Sequence, residues 1–158
     1  MKKTVRQMQK GFTLIELLVV IGILAILLAI TLIAINPARQ FSQANNTKRS
    51  SDVNAVLNAI NQYMADNKGA LPSGINTTAQ TVGQRAGDVD LCAALVPTYI
   101  AALPVDPLTN NGTPIQSTDC TDTALTTGYM VQQLTGGSNR LTVSAPAAEL
   151  GATINVTR

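Results

Sequence analysis

From Leu17 to Ile35 the chain is apolar at every position except Gly22 and Thr31. These nineteen residues, at a helical rise of about 1.5 Å each, span roughly 28 Å, close to one bilayer hydrocarbon core. A secretory signal peptide has a shorter apolar region of about 7 to 15 residues, with a small-residue cleavage site just beyond it. Here Ile35 is followed by Asn36-Pro37-Ala38, with no Ala-x-Ala pattern, so the apolar segment is expected to be kept. Lys2, Lys3, Arg6 and Lys10 precede the run without an acid, against the looser set Arg39, Lys48 and Arg49 after it. The positive-inside tendency then places the N-terminus on the cytoplasmic side of a single-pass segment and the remainder outside. A membrane-anchored domain of any kind satisfies these facts.

Glu16 narrows them. A carboxylate in an apolar helix costs about 2.5 to 3.5 kcal/mol on insertion scales and calls for a partner. Residues 12 to 15 and 17 to 21 contain no Lys, Arg or His. A cut between Gly11 and Phe12 would create an α-amino group four residues before Glu16 and so supply the missing cation. An intramolecular pair at i,i+4 spacing is then possible.

The stretch Lys10-Gly11-Phe12-Thr13-Leu14-Ile15-Glu16 resembles the cleavage-and-methylation motif of type IV prepilins and type II secretion pseudopilins. The resemblance implies cleavage between Gly11 and Phe12 by a membrane-embedded prepilin peptidase and N-methylation of Phe12. It also implies that Glu16 pairs with the N-terminal amine of a neighbouring subunit during assembly. A second match lies downstream, where Ser51-Asp52-Val53 leads through an apolar stripe to Tyr63, then to Ala65-Asp66-Asn67-Lys68-Gly69-Ala70-Leu71-Pro72. Leu103-Pro104-Val105-Asp106-Pro107 is similar to a Leu-Pro-x-Asp-Pro turn of the same head domains.

Local patterning gives the organisation. Gly22 is a candidate kink in the apolar helix. Pro37 removes a helical hydrogen bond and disfavours helix at Asn36, so a kink or melted turn is expected there. Helical spacing then resumes with Val53, Val56, Leu57, Ile60, Tyr63 and Met64. Gly69 and Pro72 close that helix. A shorter helix is expected from about Val89 to Ala102, interrupted by Pro97. Tyr129 to Thr135 and Asn139 to Ala145 flank Gly136-Gly137-Ser138 and read as a hairpin, with Ala152 to Thr157 as a final strand. The expected fold is α+β. A long N-terminal helix, with an apolar half, a proline kink and an amphipathic half, packs on a small antiparallel sheet. Its parts are a cleaved basic leader (1–11), a transmembrane or filament-core helix (12–36), an amphipathic helix (37–68) and a globular head (69–158).

Charge and chemistry exclude other classes. The formal charge of +2 comes from 11 basic and 9 acidic residues. Removing residues 1–11 takes four basic side chains and no acid, leaving seven against nine and a formal −2. Beyond Lys48-Arg49 the mature part has no basic cluster, which gives no ground for a nucleic-acid partner. With no histidine, Ser-His-Asp and Cys-His nucleophiles and His-ligated zinc are ruled out. The carboxylate pairs Asp88/Asp90 and Asp119/Asp122 lie in polar segments where solvated turn acids are the ordinary explanation, and they show no spaced set of metal ligands. No catalytic residue, metal or cofactor is expected. Cys92 and Cys120 fall in the part expected outside the cytoplasm, where a disulfide can persist; two free thiols are the alternative.

The resemblance thus implies a structural subunit of a type IV pilus, held in the cytoplasmic membrane in contact with lipid and then polymerised with its own copies into an extracellular filament. Its other implied partners are the prepilin peptidase, a platform protein and assembly ATPases. Two rivals stay open: a type II secretion major pseudopilin, and an anchored binding domain that never polymerises. Against the first, the segment from Glu149 to Arg158 lacks the Gly/Asp-rich stretch typical of those chains.

Overall fold

A computed structural model describes residues 11–136 and 140–158. The basic residues of the leader and the Gly137-Ser138-Asn139 stretch of the expected hairpin lie outside the described residues. The chain divides into two units, residues 1–40 and 41–158.

In the first unit, α1 (Leu14–Ile35) is an unbroken helix of 22 residues, about 33 Å at the helical rise. It is long and apolar enough to cross a membrane. None of its residues is buried by the protein itself. The helix is continuous through Gly22, the candidate kink. The break comes at Asn36, which is left-handed at φ 46° and ψ 78°. Pro37 has no N–H to continue the ladder and disfavours α geometry in the residue before it, while Asn tolerates the left-handed region better than most residues. Asn36 also opens the next helix, because both its backbone O (3.1 Å) and its Oδ1 (3.3 Å) accept from Arg39 N–H. Pro37 thus occupies a first helical position, where its missing donor costs nothing.

That helix, α2 (Pro37–Asp66), carries its buried stripe into the second unit. Val53, Val56, Leu57 and Ile60 follow the i, i+3, i+4, i+7 spacing and are at most 1% exposed. They join one core with Val82, Leu91, Leu95, Leu103, Ile115, Tyr129, Val131, Leu141 and Val143. The sheet is antiparallel with strand order β1-β2-β3-β4: Gln80–Gly83, Thr126–Gln133, Leu141–Ser144 and Asn155–Thr157. In β2 and β3 buried and part-buried residues alternate, as a sheet with one covered face requires. The architecture is α+β, a long apolar helix followed by a small four-stranded sheet.

One local expectation is corrected and one strand is added. The helix placed at Val89 to Ala102 shrinks to α3 (Cys92–Leu95), because Val96 turns extended before Pro97 (φ −99°, ψ 133°). Strand β1 was not foreseen. It is four residues long with only Val82 and Gly83 buried, and its partner β2 lies more than forty residues away in sequence.

Candidate functional site

At the head of α1, Thr13 and Glu16 form a reciprocal capping box. Glu16 Oε2 accepts from Thr13 N–H at 2.8 Å and from Thr13 Oγ1 at 2.7 Å. Thr13 Oγ1 in turn accepts from Glu16 N–H at 3.3 Å. The T-x-x-E spacing is the signature of this motif and is legible in the sequence. Glu16 is therefore not without a partner. It satisfies a backbone donor at the helix start, where negative charge is also favoured by the helix dipole. Phe12 (89% exposed) stands next to this cap, and Phe12, Ile15, Val19 and Val20 surround Glu16 with apolar side chains. A carboxylate thus sits within an exposed apolar face, one turn from the bond between Gly11 and Phe12.

In the second unit, the buried ionic cluster around Arg49 was missed. Arg49 is fully buried. Its Nε donates to Asp106 Oδ2 at 2.6 Å and its Nη2 to Asp106 Oδ1 at 3.2 Å, a two-pronged pair. Its Nη1 donates to Glu149 Oε2 at 2.8 Å and to Asn46 Oδ1 at 3.0 Å. Glu149 also accepts from Ser42 (2.8 Å) and Asn45 Nδ2 (3.0 Å). The Asp106 carboxylate, with burial opposing it, raises the Arg49 pKa above its ordinary value. Hydrogen bonds from Arg49, then Asn45 and Ser42, hold the Glu149 carboxyl down at about 2. Beside this cluster, Lys48 Nζ donates to Asp52 Oδ2 (2.7 Å) and Val105 O (3.0 Å), and the buried Tyr129 hydroxyl donates to the same Asp52 oxygen at 2.7 Å. Burial first, then Asp52, pushes the Tyr129 pKa up. Lys48-Arg49 is therefore no paired basic patch, since Arg49 is buried and the exposed Lys48 is held by Asp52 at 2.7 Å.

Asp106 belongs to the Leu103-Pro104-Val105-Asp106-Pro107 turn. Its approach depends on Gly128, which has φ 78° and where a Cβ would lie 3.0 Å from Thr109 Oγ1 and 3.1 Å from Asp106 Cβ. Cys92 and Cys120 are joined by a disulfide.

The other sequence candidates serve turns. Asp90 Oδ1 accepts from Cys92 N–H (2.8 Å), Asp119 Oδ2 from Gln116 N–H (3.1 Å) and Asp122 Oδ1 from Ala124 N–H (2.9 Å). Asp88 keeps a buried Oδ2 with no hydrogen-bond partner. Among the described residues no group of three or more His, Cys, Asp or Glu is placed to hold a metal ion.

Residues 6–32 match the family described as the prokaryotic N-terminal methylation motif. The chain is 35% identical over 105 residues to the type II secretion system core protein G of Pseudomonas aeruginosa, covering 66% of this chain and 72% of that protein. No solved structure gives a significant match. With the apolar helix, the capped glutamate and the sheet head, these similarities define the class: the chain belongs to the type IV pilin and pseudopilin superfamily. It is a pilin-like or pseudopilin subunit.

Proposed function

We propose that the chain is the bulk structural subunit of a type IV pilus. It is made as a prepilin, cut by prepilin peptidase between Gly11 and Phe12 and N-methylated on Phe12. The single-pass α1 holds it in the cytoplasmic membrane with the N-terminus inside, and a platform protein and an assembly ATPase drive its polymerisation into an extracellular filament. On this reading residues 1–11 are the leader, 12–36 the membrane and filament-core helix, 37–68 the amphipathic helix and 69–158 the displayed head.

The observation that carries the proposal is the bare apolar surface of α1 with Glu16 in its first turn. No residue of α1 is covered by its own chain, so the helix must exchange lipid contacts for contacts with other copies. The Glu16 carboxylate must find a cation as it leaves the headgroup region. The amine released at Phe12 provides one, and pairing it with Glu16 of a neighbour couples register to assembly. The capping-box bonds to Thr13 hold the carboxylate until then.

A pseudopilin of type II secretion is the second reading, favoured by the likeness to core protein G. What supports the pilus is the segment from Glu149 to Arg158. It is committed to the Arg49 cluster and to edge strand β4, and it contains no Gly/Asp-rich stretch.

Mass spectrometry of the mature chain tests the processing step, with methyl-phenylalanine expected at its N-terminus; an intact Met1 overturns it. Electron microscopy of wild-type and deletion strains separates the two readings. Long surface filaments lost on deletion support the pilus, whereas a secretion defect without such filaments supports the pseudopilin.

A further inference from the structure

A recess of about 290 Å³ in the head is lined by Arg85, Thr109, Asn110, Ala124, Leu125 and Thr126. This volume lies at the lower limit for small-molecule sites. Arg85 is anchored there, its Nε donating to Ala124 O at 2.9 Å. Among the described residues no carboxylate forms an ion pair with it. The nearby acids are otherwise placed: Asp122 Oδ1 accepts from Ala124 N–H, and Asp88 Oδ2 is buried. The bond at Nε restrains this exposed side chain, and among the described residues no hydrogen bond engages its two terminal amino groups. Thr109, Asn110 and Thr126, each with a polar side chain, line the same recess.

We propose that this recess binds a small oxyanion, a carboxylate or phosphate group carried by a small solute, with Arg85 as its cation. A guanidinium restrained at Nε offers parallel N–H donors that match such a group, so less side-chain entropy is lost on binding. The two threonine hydroxyls and the Asn110 amide supply neutral donors for the remaining oxygens. The site lies in the head and is independent of whether the chain polymerises. Its failure would therefore leave the filament reading untouched.

The test uses the isotope-labelled full chain in detergent micelles, titrated with acetate or with inorganic phosphate against sodium chloride at matched pH and ionic strength. Saturable amide shifts confined to Gln84, Arg85, Asn110, Leu125 and Thr126 are expected with either oxyanion. Arg85→Gln should weaken binding by about tenfold or more, the loss expected for a charge-assisted hydrogen bond. Arg85→Lys keeps the charge but not the fork, should weaken binding less, and decides the matter if Arg85→Gln disturbs the fold. Shifts that follow chloride equally, or that persist unchanged in these variants, overturn the site.

Discussion

Arg49 and Asp106, 57 positions apart in sequence, form a two-pronged ion pair in which both side chains are fully buried. The pair ties α2 to the turn between Leu103 and Pro107, and Glu149 adds the C-terminal segment through the third nitrogen of the same guanidinium. One side chain therefore joins three parts of the head.

Removing only one partner should be severe. Arg49→Ala would leave the Asp106 carboxylate buried without its cation, a loss of about 3 to 5 kcal/mol, large against total stabilities of about 5 to 15 kcal/mol. Thermal unfolding followed by circular dichroism should show a strongly lowered midpoint. Arg49→Met combined with Asp106→Leu removes both charges and should recover much of that loss; a double variant no more stable than the single would show that geometry, not charge burial, dominates.

The same cluster sets a pH dependence. The Glu149 carboxyl is held at about 2, below its ordinary 4.5. The folded state therefore binds its proton less readily than the unfolded chain does, and Glu149 contributes stability that is complete above about pH 4.5 and lost as pH falls toward 2. Tyr129 is raised above its ordinary 10.0, so its contribution is complete below pH 10 and declines at higher pH. Denaturant midpoints measured across pH should fall on both sides, and Glu149→Gln should flatten the acid limb alone.

Thr13→Val keeps the shape of the side chain but removes the hydroxyl bonded to Glu16. The helix start should lose about 1 kcal/mol, visible as faster amide exchange at residues 14 to 17. Under the proposed function, Glu16→Ala removes both the cap and the charge that would pair with a neighbouring chain, so processing at Gly11 should continue while filaments vanish. Normal filaments from Glu16→Ala would refute the assembly role given to that carboxylate.

Cys92 and Cys120 close a loop with a sequence separation of 28. In the chain-entropy account such a bridge stabilises by roughly 3 to 4 kcal/mol. Intact-mass measurement should give a chain two hydrogens lighter than its reduced form, and reductant should lower the unfolding midpoint. Alkylation of both thiols without reduction would contradict the bond.

Packing of α2 onto the sheet offers the control. Leu57 is fully buried and carries no polar role, so Leu57→Ala should cost about 2 to 5 kcal/mol through lost burial and the cavity left behind. The cost should not vary with pH between 3 and 9, in contrast to Glu149→Gln.

Apolar runs, turn residues and short motifs act on their neighbours, and these were legible in the chain itself: the uncovered helix α1, the break enforced by Pro37, the α2 stripe and the Gly11-Phe12-Glu16 junction. The capping box was equally local and could have been read from Thr13-Leu14-Ile15-Glu16. Tertiary structure alone decided that Arg49 is buried, because its carboxylate acceptors come from 57 and 100 positions away and an arginine beside a lysine ordinarily marks a solvated face. It also decided β1, whose four residues carry too little pattern to pair until β2 is beside them, and the convergence of Arg85, Asn110 and Thr126 on one recess. Short-range sterics and burial patterns belong to the sequence; partners for isolated polar groups exist only once distant segments meet.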